Sequence, residues 1–273
     1  MRHFFLWTLF AALIVQTITA CKKPGHPTLE KKSYVLVWQD EFNYSGMPDS
    51  TKWSYDTAGN ASGWGNNEME YYTAHRKENA WVDSGTLKIR AILEKYAGRD
   101  YTSARLVTKQ KGDWLYGKID VRAKLPGGVG CWPAIWMLPT DWDYGGWPES
   151  GEIDIMEQVG FNPDTVFASI HTQTYNHVIG TQKTRGTFIE KSSTEFHDYS
   201  LEWQPDTINI FLDGRKYFTF SNEHTGFNEW PFDKRFHLLL NIAVGGNWGG
   251  VKGIDRSKLP YIMAIDYVRV YQR

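Results

Sequence analysis

The chain has 273 residues, and its 30 Lys and Arg against 31 Asp and Glu leave a net charge of −1. That balance argues against nucleic acid, which selects for concentrated positive charge. Aromatic residues make up 15% of the sequence, more than a core alone requires, so some rings are expected to line a groove.

After Arg2 and His3, an apolar stretch from residue 4 to about residue 20 is interrupted by Gln16 and Thr17. It is short for a bilayer span and has the form of a signal sequence, here residues 1–20. It ends in Ile18-Thr19-Ala20-Cys21, which resembles a bacterial lipobox. In that reading Cys21 is lipidated and becomes the new N-terminus. Ordinary cleavage after Ala20 is the alternative. Residues 21–33 then form a lipidated cysteine and a tether bearing Pro, Gly and Lys, and residues 34–273 form one large domain. The expectation is an exported, membrane-anchored monomer, periplasmic or at the cell surface. With Cys21 acylated, Cys131 has no partner within the chain, so no disulfide is expected. Flanked by Gly130 and Trp132, Cys131 reads as a buried small hydrophobe rather than a nucleophile.

Downstream, the periodicity is that of strands almost throughout. Residues 118–125 (KIDVRAKL) alternate cleanly, and residues 199–203, 208–212 and 266–271 show shorter versions. Asp213-Gly214 sits between two such runs as a hairpin turn. Long amphipathic helices are absent. Many short strands joined by Gly, Asn and Asp imply an all-β, antiparallel sandwich.

One run breaks the pattern. Residues 151–160 (GEIDIMEQVG) put Glu152, Asp154 and Glu157 within six positions of an apolar strand, where like charges repel and acids are poor strand formers. Alternation puts Glu152 and Asp154 on one face and Ile153 and Ile155 in a core, but would send Glu157 inward. A β-bulge between Asp154 and Glu157 resets the phase and returns Glu157 to the open face. The two glutamates start roughly 13 Å apart at Cα, so their side chains must converge on a curved sheet. Paired carboxyls of this kind are the equipment of glycoside hydrolysis. The trio should titrate as a coupled set, and spacing alone leaves open which glutamate holds the proton.

Here the chain resembles glycoside hydrolase family 16 in its laminarinase-like branch, whose hallmark is E-x-D-x-x-E on a bulged strand. Residues 38–43 (WQDEFN), 65–73 (GNNEMEYYT), 130–139 (GCWPAIWMLP) and 245–250 (GGNWGG) match in order. The resemblance implies a jelly roll whose concave sheet forms the cleft. It also implies Glu152 as nucleophile, Asp154 as helper and Glu157 as acid/base. Trp132, Trp136 and Trp248 become candidate sugar platforms, with core packing as the bland alternative, while Trp142 and Trp147 border the groove. Asn66 would contact glycone sugars, Arg105 would face the groove, and His171 would lie on the aglycone side close to Glu157. Each could instead be a turn, surface or structural residue. The other histidines form no metal-spaced cluster. The family pattern also implies a structural calcium held by Glu41, the Gly85 carbonyl and Asp266, hard oxygen donors that calcium accepts. No organic cofactor is implied.

The activity implied is retaining endo-hydrolysis of β-1,3-glucan or mixed-linkage β-1,3/1,4-glucan, a neutral polymer that suits the balanced charge. A galactan endohydrolase, a transglycosylase and a non-catalytic glucan-binding lectin are the alternatives. Linkage preference is expected to depend on groove loops at residues 141–149 and 174–186.

Overall fold

Strict alternation is what lets this chain form two stacked sheets, each with one face in a shared core. The computed structural model describes Met1 and residues 33–273. The signal sequence, Cys21 and the tether through residue 32 lie outside the described residues. Ser33–Arg273 form one compact unit.

In chain order the strands are β1 (Val35–Asp40), β2 (Ser54–Tyr55), β3 (Glu70–Tyr72), β4 (Ala80–Asp83), β5 (Thr86–Tyr96), β6 (Arg99–Ser103), β7 (Arg105–Val107), β8 (Asp113–Trp114) and β9 (Gly117–Lys124). They continue with β10 (Cys131–Pro139), β11 (Glu152–Glu157), β12 (Thr165–His171), β13 (Lys183–Phe188), β14 (His197–Gln204), β15 (Thr207–Leu212), β16 (Arg215–Ser221), β17 (Phe236–Val244) and β18 (Tyr261–Gln272). One sheet runs β16-β15-β14-β9-β18-β5-β6-β3, with β1 on β18 and β4 on β5. The other runs β13-β12-β11-β10-β17-β7-β2, with β8 on β17. Among these pairings β3 with β6 is parallel and the rest are antiparallel. This is the antiparallel-rich sandwich expected.

The core follows from the alternation. On β9, Ile119, Val121 and Ala123 are buried while the residues between them are half-buried. Across the sandwich they share one cluster with Ile135 and Met137 of β10, Ile153 and Ile155 of β11, and Leu238, Leu240 and Ile242 of β17. Each such aliphatic side chain contributes about 1.5–3 kcal/mol on burial. Strand β17 is buried at every position, and Asn241 and Ala243 of its second face line the cleft. The 213–214 turn is present, with Asp213 and Gly214 both at positive φ, 49° and 74°, joining Leu212 to Arg215. These are the type I′ angles that match the twist of flanking strands. The 174–186 segment is only partly a loop. It contains a short 3-10 turn at His177–Ile179, and from Lys183 it pairs with β12 as an edge strand.

Candidate active site

The bulge is where the spacing predicts it. Strand β12 pairs Ser169 with Asp154 and Phe167 with Glu157, and β10 pairs Trp136 with Asp154 and Ala134 with Glu157. Both neighbours advance two residues while β11 advances three. The surplus is absorbed by Ile155 and Met156, which are both fully buried. Glu152, Asp154 and Glu157 therefore share the cleft face.

Two indoles fix the glutamates. Trp132 Nε1 donates to Glu157 Oε1 at 3.0 Å, and Trp147 Nε1 donates to Glu152 Oε2 at 2.7 Å. Trp132 is itself set by the 245–250 loop. Gly245 and Gly246 take φ of 72° and 74°, and a Cβ at Gly249 would fall 2.9 Å from Trp132 Cβ. Only glycine gives that backbone and that approach without strain. Trp248 consequently stands edge-on to Trp132, with ring centroids 5.5 Å apart.

Electrostatics separate the three acids. Burial, then the negative charge of Glu152 and a hydrogen bond to it, pushes Asp154 well above the ordinary carboxylate range. Burial, then Asp154, also pushes Glu157 well above that range, with Glu152 adding and His171 and the Trp132 hydrogen bond opposing. Both shifts favour the protonated forms of Asp154 and Glu157, and Asp154 titrates coupled to its neighbour.

His171 is aligned with Glu152, while its charge still reaches Glu157. Antiparallel pairing sets the last residue of β12 against the first of β11, so His171 is opposite Glu152. Its Nε2 lies 3.3 Å from Asp154 Oδ2 and 3.9 Å from Glu152 Oε1. Trp147, His171 and His177 then form a ring cluster with centroids 5.0–6.0 Å apart.

The cleft, about 710 Å³, also gathers Asn66, Arg105, Trp132, Trp136, His171, Trp248, Trp142 and Trp147. Arg105 is 7% exposed, with its guanidinium 4.3 Å from the Trp64 ring centroid and 4.5 Å from that of Trp136. One face of Trp136 is thus occupied by a cation rather than free for a ligand. Sequence reasoning missed Trp64, Glu68 and Asn241. Asn241 had a signal, since it is the one polar residue in the apolar run 238–244, and it accepts from Trp136 Nε1 at 2.7 Å.

The model for Glycosyl hydrolases family 16 matches residues 65–268, most of the chain. The chain belongs to glycosyl hydrolase family 16. A β-glucanase of Rhodothermus marinus is 49% identical over 269 residues, covering 96% of this chain and 93% of that protein. The X-ray structure of the laminarinase from Rhodothermus marinus superposes with a TM-score of 0.86 at 51% identity, covering 88% of this chain and 98% of that one. A Glu-to-Ser mutant of SCLam, a non-specific endo-β-1,3(4)-glucanase, superposes with a TM-score of 0.85 at 48% identity over 88% of this chain and 95% of its own. That protein was co-crystallised with 1,3-β-D-cellotriosyl-glucose and presents a 1,3-β-D-cellobiosyl-glucose at its active site.

The calcium site expected of a family 16 chain has a different occupant among these side chains. Both oxygens of Glu41 accept from Arg269, at 2.7 and 2.8 Å, and Asp266 lies 3.3 Å from Arg122. Gly85 occupies the β4–β5 turn. With each carboxylate already facing a guanidinium, these side chains do not fit a calcium cage. Among the described residues Glu152, Asp154 and His171 bring ligand atoms within 4.8 Å of one another, and all three line the cleft.

Proposed function

We propose that this chain is a retaining endo-β-glucanase that hydrolyses internal linkages of β-1,3-glucan and mixed-linkage β-1,3/1,4-glucan. The observation that carries this reading is the β11 bulge, which turns Glu152, Asp154 and Glu157 to one open cleft with an indole donor on each glutamate. The named glucanases and laminarinase of the same family support the substrate class.

In the first step Glu157 gives its proton to the glycosidic oxygen while Glu152 attacks the anomeric carbon. The glycosidic C–O bond breaks, the leaving chain departs as an alcohol, and a glycosyl ester forms on Glu152. Asp154 holds its proton toward Glu152 and so tempers that carboxylate's charge in the free enzyme. In the second step Glu157, now ionised, takes a proton from water, and the hydroxide attacks the anomeric carbon to release Glu152. Two carboxyls and water suffice, so no organic cofactor is required.

Incubation with laminarin, barley mixed-linkage glucan, agarose and carboxymethylcellulose tests this directly. Oligosaccharides from laminarin and mixed-linkage glucan are expected. Products from agarose alone would move the substrate to galactans, and binding without products would make the chain a lectin. Longer rather than shorter products from oligosaccharides would indicate sugar, not water, as acceptor.

The domain works as a monomer tethered to a membrane by a lipid on Cys21, a reading that rests on Ile18-Thr19-Ala20-Cys21. Replacing Cys21 with Ser should move the protein from the membrane to the soluble fraction. Continued membrane association would remove the anchor.

A further inference from the structure

Two buried acids at the Asn66 end of the cleft take no part in the steps above. Glu70 on β3 has no exposed surface and Glu68 is 5% exposed. The two carboxyls face each other, and Glu70 Oε1 is buried without a hydrogen-bond partner among the described residues. Two ionised carboxyls in such contact would bury two negative charges, each costing several kcal/mol, and a single proton between them removes one.

The hydrogen bonds around the pair say where that proton sits. Trp136 Nε1 can only donate, so the Asn241 atom it meets at 2.7 Å is the oxygen. The Asn241 amide nitrogen therefore faces Tyr72, donating to its hydroxyl at 2.9 Å. Tyr72 must then point its own proton at Glu68 Oε2, 3.2 Å away. The other oxygen of Glu68 accepts from Asn66 Nδ2 at 3.2 Å. Glu68 thus accepts at both oxygens, as an ionised carboxylate does. Glu70 differs. Its Oε2 accepts from the Val244 amide at 2.6 Å, and its buried Oε1 has no hydrogen-bond partner among the described residues. A proton on Oε1 directed at Glu68 satisfies both groups.

Other charged groups agree with this polarity. Arg105 of β7 faces Glu68 and is itself paired to Asp56 at 3.3 Å. Arg99 of β6 reaches the Glu68 backbone carbonyl rather than its carboxylate. Tyr101 of β6 is the register partner of Glu70. Burial raises both acids, Glu70 further, with the charge of Glu68 as its next cause.

We propose that Glu70 is a positioning residue that stays protonated, donates to an ionised Glu68, and through it anchors Asn66 directly and Trp136 by way of Tyr72 and Asn241, so that ionising Glu70 releases that end of the cleft. The proposal deepens the glucanase reading and depends on it only for the choice of substrate. A second negative charge beside Glu68 turns one carboxylate away. Asn66 and Tyr72 then lose their acceptor, while the catalytic strand is untouched.

The test is KM and kcat on laminarin from mildly acidic to alkaline pH for wild type, Glu70→Gln and Glu70→Ala. A Gln amide donates to Glu68 as the acid does and cannot ionise. Wild-type KM should rise several-fold on the alkaline side, KM of Glu70→Gln should stay flat, and Glu70→Ala should show a raised KM at every pH. The kcat limb should follow Glu157 in all three. A flat wild-type KM, or the same alkaline rise in Glu70→Gln, overturns the proposal, and the wild-type profile decides even where a variant fails to fold. A second readout needs no turnover. The infrared difference between wild type and Glu70→Gln at neutral pH should contain a carboxylic-acid carbonyl band. Its absence overturns the proposal with the glucanase reading intact. Its presence in a protein that cleaves no glucan supports the protonated pair and removes only the substrate.

Discussion

Trp132 sets Glu157 by a single hydrogen bond, Nε1 to Oε1 at 3.0 Å, and that bond lowers the proton affinity of an acid that burial has raised. Trp132→Phe removes the donor and keeps most of the ring. Glu157 should then hold its proton to higher pH. The alkaline limb of kcat should move up, and kcat at the optimum should fall several-fold as the acid loses its orientation. A pH–rate profile on laminarin reads both, and an unmoved limb would show that the indole does not touch the acid in solution.

Replacing either glutamate by Gln should abolish turnover while glucan binding persists. Loss of proton transfer alone is worth about 10²–10⁴-fold in rate. Glu157→Gln should also leave the melting temperature equal to or above that of wild type, because it removes a buried acid whose environment opposes its charge. Reducing-sugar release, affinity electrophoresis in glucan and calorimetry report the three quantities.

Arg105 is held between Trp64 and Trp136, 4.3 and 4.5 Å from their ring centroids. An ammonium group cannot stack on two faces as a planar guanidinium does. Arg105→Lys should cost about 1–2 kcal/mol of stability and raise KM more than it lowers kcat. Chemical denaturation with laminarin kinetics tests this, and an equal fall in kcat would place Arg105 in the chemistry instead.

Below neutral pH the domain should lose stability through His237. It is 4% exposed, lies 3.3 Å from Thr140 Oγ1, and burial pushes it down to about 3. The unfolded chain binds this proton near pH 6.5 and the folded chain does not, so stability is full above about 6.5 and declines as pH falls toward 3. The whole effect is at most about 5 kcal/mol. His237→Gln should flatten the acid side of the stability curve. Buried Glu70 acts with the opposite sign, since its raised value makes its contribution full at low pH and lost as pH rises.

The Cys131 thiol has no exposed surface, and burial pushes it up to about 12. In a Cys21→Ser chain it should resist a thiol reagent under native conditions and react fully in denaturant. Rapid native labelling would mean that the strand start opens.

How much of this was legible depends on how far apart in sequence the cooperating residues lie. E-x-D-x-x-E carries its own bulge, because alternation is a property of one strand and an odd spacing among residues of one face demands an extra position. The Asp213-Gly214 hairpin and the alternation of β9 are local for the same reason. Partnerships across strands are not local. His171 was expected near Glu157 and lies against Glu152 because antiparallel register reverses the order of neighbours. Local patterning was enough to specify a β-sandwich, the acid-bearing strand and the face its acids share. The chain from Glu70 through Glu68, Tyr72 and Asn241 to Trp136 exists only in the closed fold. Those residues come from β3, the loop before it, β17 and β10, and meet only when the sheets close and put buried polar groups in need of one another.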